Sequence, residues 1–218
     1  MSADIFRHAD KSLMVMLNDM SKEFQRIGTQ LGFDELNVLE TRKTVNAMYK
    51  RMDKVIQREY RAIALAAYKE AGGKAKDFDP YEFVYAMLGA YDPLSEFVYT
   101  REWERKRDRM FESIIATQTG NQDMRKNLKR GLDVLANQVR QYADNVTVGA
   151  RLKAFSDNGI EYARWVAEVD DKTCKTCLDR DKKIYRNDEI MVMMPAHYRC
   201  RCHPEPATEE EYKAQRAA

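Results

Sequence analysis

The chain has 218 residues, 33% of them charged, yet its formal net charge is only +2, which excludes a histone-like polycation. Gly (9) and Pro (5) are scarce, a composition for long helices rather than a loop-rich β architecture, and the length admits one good core or a bundle plus a small module. No uncharged run approaches the ~20 residues that span a bilayer, and the N-terminus lacks the basic-then-apolar pattern of a secretory signal, so the expectation is a cytosolic product that stays soluble or enters an assembly.

Between Ile5 and Leu31 the apolar residues Leu13, Leu17, Met20, Phe24, Ile27 and Leu31 alternate steps of 4 and 3. That heptad-like seam predicts an amphipathic helix packed on another helix. Gly32 is a stop signal and Asp34 an N-cap candidate for a second helix from about Glu35 to Glu70. Its stripe is Val45, Met52, Ile56, Ile63 and Ala67, and it ends at Gly72-Gly73. Asp79-Pro80 and Asp92-Pro93 each place a capping carboxylate before a proline at the first helical position, opening helices over Tyr81–Ala90 and onward through Thr117. The charged run Arg101–Arg109 surrounds Trp103; it reads as a solvated face laced with pairs such as Glu102–Lys106, or as a contact surface for a large acidic partner. The last long helix, Asn121–Ser156, carries Leu128, Leu132, Leu135, Val139, Tyr142 and Val146, and Gly159 suits its left-handed cap.

From Arg101 to Lys153 there are 12 Lys/Arg against 7 Asp/Glu. Arg125, Lys126, Lys129 and Arg130 lie within a turn or two of one another, a face suited to non-specific DNA phosphate contact or to plain solvation. No aromatic interleaving or reading helix argues for sequence-specific binding. After Gly159 the period becomes twofold over Ile160–Val169, predicting a strand. Lys183–Tyr185 and Met191–Met194 are further strand candidates, the methionines serving as core filler or an adaptable contact patch. Thr208–Ala218 reads as a polar, mobile tail with a helical turn or two.

All four cysteines fall between Val169 and Pro206: Cys174-Lys-Thr-Cys177, then, after 22 intervening residues, Cys200-Arg-Cys202. A structural zinc site needs four thiolate or imidazole ligands converging tetrahedrally. A Cys-x-x-Cys turn presents two sulfurs to one point, and Cys200 and Cys202 in a strand would share a face. The favoured ligands are therefore Cys174, Cys177, Cys200 and Cys202. His197 is in reserve, replacing one cysteine or hydrogen-bonding a sulfur. Competing readings are disulfides, opposed by the missing secretory signal, a redox Cys-x-x-Cys, opposed by the missing βαβ pattern, and free core thiols. His203, beside an exposed-looking Pro204-Glu205-Pro206, is left out of the ligand set. A site closed by four protein ligands keeps no position for water, which argues against hydrolytic chemistry. Asp170 and Asp171 then support ligands or end a strand rather than catalyse, and no catalytic or cofactor-binding residue is assigned.

Trp165, Asp170-Asp171-Lys-Thr-Cys174-Lys-Thr-Cys177, Lys183-Ile-Tyr185 and Pro195-Ala-His197-Tyr-Arg-Cys200-Arg-Cys202, in that order, resemble the C-terminal signature of phage head morphogenesis proteins, the Mu F-like minor head proteins of tailed bacteriophages. A weaker likeness extends over Tyr91–Met110. The family's turn glycine is missing near Arg180-Asp181-Lys182, where Asp181 tolerates a positive φ, and Tyr198-Arg199 stands where the family usually has Pro-Asn. The resemblance implies a non-enzymatic structural protein of the capsid interior, assembled in the host cytoplasm, with the portal and inner capsid as partners and some members touching packaged DNA. A zinc-ribbon-like nucleic-acid-binding protein is the alternative. The expected architecture is mainly α with a small α+β end: an elongated bundle over 1–158 with a break near 72–79, a zinc-binding β-hairpin module over 159–206, and a polar tail over 207–218.

Overall fold

The computed structural model describes residues 7–30, 37–89, 98–120, 123–197 and 199–217. Its elements are α1 (Arg7–Gln30), α2 (Val38–Glu70), a short 3-10 turn (Ala75–Asp77), α3 (Pro80–Gly89), α4 (Val98–Gln118), α5 (Met124–Asp157), β1 (Tyr162–Val166), α6 (Lys175–Arg180), β2 (Ile184–Arg186), α7 (Asn187–Met193), β3 (His203–Ala207) and α8 (Glu209–Ala217). The protein is thus mainly α with a small antiparallel sheet near its C-terminus, ordered β2-β1-β3. No helix among the described residues is long and apolar enough to cross a membrane.

The helices start where short side chains can take up orphan amide protons. Asp79 Oδ1 accepts from the N–H groups of Tyr81 and Glu82, Asp123 Oδ1 from those of Arg125 and Lys126, and Asn37 Oδ1 from that of Glu40. The caps expected at Asp34 and Asp92, the seam residue Leu31 and the side chain of Glu102 lie outside the described residues. Gly159, at φ 75°, follows α5 in the left-handed region, which glycine adopts without penalty.

The chain forms two compact units, whose boundaries fall within α1, α2, α3 and α5. One contains residues 12–59 and 85–140. Its core is built from Met16, Met20, Phe24 and Ile27 of α1, Val45, Met48, Met52 and Ile56 of α2, Trp103 and Ile114 of α4, and Leu135 and Val139 of α5. The sequence seams therefore do face inward, as helix periodicity requires. The ring of Tyr49 meets Trp103 edge-on at 5.3 Å, and Arg51 grips Glu23 through both carboxylate oxygens at 2.9 and 2.6 Å.

The other unit contains residues 1–11, 60–84 and 141–218. Tyr68 stacks on Phe78 at 4.2 Å and donates its hydroxyl to Asp157 at 2.7 Å. Val148, Leu152 and Phe155 of α5 share one apolar cluster with Ala163 and Trp165 of β1, Ile190 of α7 and three of the cysteines. The cysteine module's core therefore continues across residue 158.

Three local expectations are corrected. Met191–Met193 is helical: Glu189 accepts from the Arg186 N–H at 2.9 Å, and the buried residues Ile190 and Met194 recur at four, not two, while Val192 is 86% exposed. Cys200 and Cys202 lie in irregular chain leading into β3 rather than in a strand. The polar tail is tied down: Glu211 pairs with Arg164 at 2.5 Å, Tyr212 stacks on Tyr162, and Gln215 bonds both backbone groups of Ile184.

Candidate metal centre

Sheet register explains how two distant cysteine pairs meet. Val166, where β1 ends, pairs with His203, where β3 begins. The chain leaving β1 carries Cys174 and Cys177, and the chain entering β3 carries Cys200 and Cys202, so both arrive at one end of the sheet. Cys174 caps α6, its Sγ accepting from the Cys177 N–H at 3.4 Å, which turns both sulfurs of the pair the same way. On the other segment the Cys200 N–H bonds His197 O at 3.2 Å, and Arg199 sits at φ 59° to make that turn.

The ligand atoms form two overlapping groups. Those of Cys174, Cys177 and His197 all lie within 4.8 Å of one another, as do those of Cys177, Cys200 and Cys202. Cys177 belongs to both, with its Sγ 3.3 Å from His197 Nε2 and 3.7 Å from Cys200 Sγ. All four cysteines are free thiols, Cys177, Cys200 and Cys202 buried and Cys174 partly so, whereas His197 is exposed. The five residues singled out in the sequence are thus brought together, and the cluster has the donors to hold a metal ion.

The electrostatics suit a site that shares its protons unequally. Cys200 accepts from the Cys202 thiol first, then from backbone N–H groups of Cys202 and Ala196, and its thiol is pulled down to about 5 despite burial. Burial is the main influence on Cys177, pushed up to about 12. Cys202 is pushed up by donating to Cys200 and by burial, and Cys174 is lowered by the Cys177 N–H. One sulfur ionises easily while its buried neighbours keep their protons, since adjacent thiolates repel in a poorly solvated site. Trp165, fully buried, has an indole N–H without a hydrogen bond of normal geometry. Its neighbour is Cys202, whose charged form it favours.

A brace that sequence reasoning placed only loosely ties the two ligand segments. Arg201, between Cys200 and Cys202, bonds both oxygens of Asp170 at 2.7 and 2.6 Å. The Asp170 carboxyl is held well below its usual range, chiefly by that guanidinium. Thr173 completes the turn, accepting from the Asp170 N–H and donating to Glu168 O, both at 2.7 Å. Opposite charges beside the two cysteine pairs were the only sequence signal for this contact. His203 is outside both donor groups but is not exposed: it is 2% accessible, lies 3.6 Å from Glu205, and burial holds its pKa below the ordinary value. The positive φ at the β1–β2 turn belongs to Lys182 (63°) rather than Asp181, while Asp181 Oδ1 accepts from the Ala167 N–H.

Arg125, Lys126, Lys129 and Arg130 are all exposed on α5, in the other unit. Compared with protein-family models, curated proteins and solved structures, the chain gives no match.

Proposed function

We propose that the cysteine cluster binds one structural zinc ion, and that the protein is a minor head component of a tailed phage, docking on the portal and inner capsid during assembly. The observation that carries the metal reading is convergence of the donors. A tetrahedral zinc with Zn–S near 2.3 Å separates its sulfurs by about 3.8 Å, and a sulfur from an imidazole nitrogen by about 3.6 Å. The Cys177–Cys200 and Cys177–His197 distances of 3.7 and 3.3 Å fall near those edges. Cys177, which belongs to both donor groups, is then the shared ligand, with the remaining places drawn from Cys174, His197, Cys200 and Cys202. Buried sulfurs, a fixed cap and a neighbouring indole donor favour a closed, structural ion over a catalytic one.

The head-protein reading rests on the ordered Cys-x-x-Cys and Pro-x-His-x-x-Cys-Arg-Cys signature, whose cysteine and histidine side chains meet at this cluster. Metal analysis of the purified chain and co-purification with a portal ring test the two halves separately. Changing Cys174 and Cys200 together to Ser should abolish zinc and loosen the chain between Cys174 and Cys202 while leaving the long helices largely formed. Stoichiometric zinc in that double variant would defeat the metal reading. Purified heads lacking the chain, with no portal association, would defeat the assembly reading.

A further inference from the structure

Away from the metal cluster, α4 and α5 enclose a cleft of about 320 Å³ with a strongly one-sided chemistry. Lys106 and Arg109 from α4 and Arg130 from α5 converge on it, together with Ser113, Asn127 and the buried Tyr49. Spacings of three and seven on α4, and of three on α5, put these polar residues on the facing sides of the two helices. At Gly131, beside the cleft, a Cβ would meet the flexible end of Met110 (Cε at 1.9 Å), so α4 and α5 approach closely there.

The cations also lack carboxylate partners among the described residues. Elsewhere in this unit arginines have carboxylate partners: Arg42 with Asp108 at 2.8 Å, Arg51 with Glu23 at 2.6 Å, Arg58 with Glu59 at 2.7 Å. Among the described residues no carboxylate pairs with Lys106, Arg109 or Arg130, nor with Arg125, Lys126 or Lys129 on the adjoining ridge of α5. Lys106 is half-buried, where an ammonium without a counter-charge is costly. Of the described acids on this stretch of α4 and at the start of α5, Asp108 is taken by Arg42 and Arg107, while Glu104, Glu112, Asp123 and Asp133 are exposed.

We infer that this cleft is a binding site for a phosphate group, with Lys106, Arg109 and Arg130 meeting its oxygens and Ser113 supplying a neutral hydrogen bond. The inference is independent of the zinc and portal readings. Two sources share the chemistry, a small phosphorylated ligand and a phosphodiester backbone. A backbone would extend from the cleft onto Arg125, Lys126 and Lys129, whereas a small ligand would not.

The test is titration calorimetry at low salt with pyrophosphate and with a double-stranded oligonucleotide, on the full chain and two variants. Circular dichroism and metal content check that each variant is folded. The cleft variant K106Q/R109Q/R130Q is expected to weaken both probes at least about tenfold per lost contact, in line with charge-assisted bonds. If the ridge variant R125Q/K126Q/K129Q weakens only the oligonucleotide, and lowers its salt slope by about 3, the source is a backbone. If it changes neither probe and pyrophosphate binds more tightly, the source is a small ligand. No binding of either probe, or binding that a folded cleft variant leaves unchanged, overturns the inference.

Discussion

Replacing Trp165 by Phe separates the indole's packing from its N–H. The side chain is fully buried in the cluster formed with Phe155, Ile190 and Met194, and the Arg180 guanidinium lies 5.1 Å over its ring. Truncation to Ala would cost about 3–5 kcal/mol, enough to unfold the module. Phe keeps most of the apolar contact and loses the donor. In the metal-free chain that donor lacks a well-formed bond, and relief of an unsatisfied N–H, about 1–3 kcal/mol, offsets the smaller ring's lost packing. Metal-free stability should therefore change by no more than about 1–2 kcal/mol in either direction. With Cys202 among the ligands of a bound metal, its sulfur is a thiolate, and the indole donor beside it stabilises that charge. Losing an outer hydrogen bond of this kind weakens metal binding about 10–100-fold. Competition against a chelator reads the affinity, and urea unfolding of the metal-free chain reads the packing. An unchanged metal affinity in a folded W165F protein would refute the role given to the indole.

Three further outcomes are expected. Metal affinity should fall as pH falls, because Cys177, pushed up to about 12, carries a proton at neutral pH that metal must displace, and the raised Cys202 carries a second wherever it is a ligand. Each displaced proton contributes about tenfold per pH unit, so a pH-independent affinity between about pH 6 and 8 contradicts the thiol ligands. Lys182→Gly should stabilise the chain by about 1 kcal/mol, since Lys182 sits at φ 63° where a side chain is strained; thermal unfolding should rise by about 2–4 °C. Gln215→Ala removes an amide that bonds both the N–H and the C=O of Ile184, at 2.7 and 3.1 Å. Hydrogen exchange at the Ile184 amide should accelerate about tenfold, from loss of roughly 1–1.5 kcal/mol, and unchanged protection would show that α8 does not guard that edge.

Periodicity made the helices legible. Val45, Met52, Ile56, Ile63 and Ala67 on α2 are all buried, because a long amphipathic stripe has few ways to hide its apolar face. The strand over Tyr162–Val166 was equally readable, since Ala163 and Trp165 alternate inward. What escaped was decided by short-range chemistry that composition does not encode. Met191–Met193 reads as β by content, but the acidic start at Asp188 and Glu189 caps a helix there. Polarity at 208–217 suggested a loose tail, yet Glu211, Tyr212 and Gln215 each find a partner on the sheet. The candidate metal-site residues were visible because cysteine pairs are rare and closely spaced. Their geometry was not: convergence arises from a cap at Cys174 and a left-handed turn at Arg199, rather than from side chains alternating along a strand.

The same geometry bears on whether metal or protein contributes more to the module's shape. Its strands have 5, 3 and 5 residues, and a sheet that short is marginal without a partner layer. Phe155 and Leu152 of α5 supply one such layer, which positions β1 and, through the Val166–His203 register, the approach of both cysteine segments. The Arg201–Asp170 pair holds those segments together, but it is largely exposed, and exposed pairs contribute little. Sheet packing therefore brings the sulfurs near each other without fixing them. A bound zinc, contributing on the order of 10 kcal/mol in small structural sites, would fix them, and most of its effect would fall on the chain between Cys174 and Cys202 rather than on the helices.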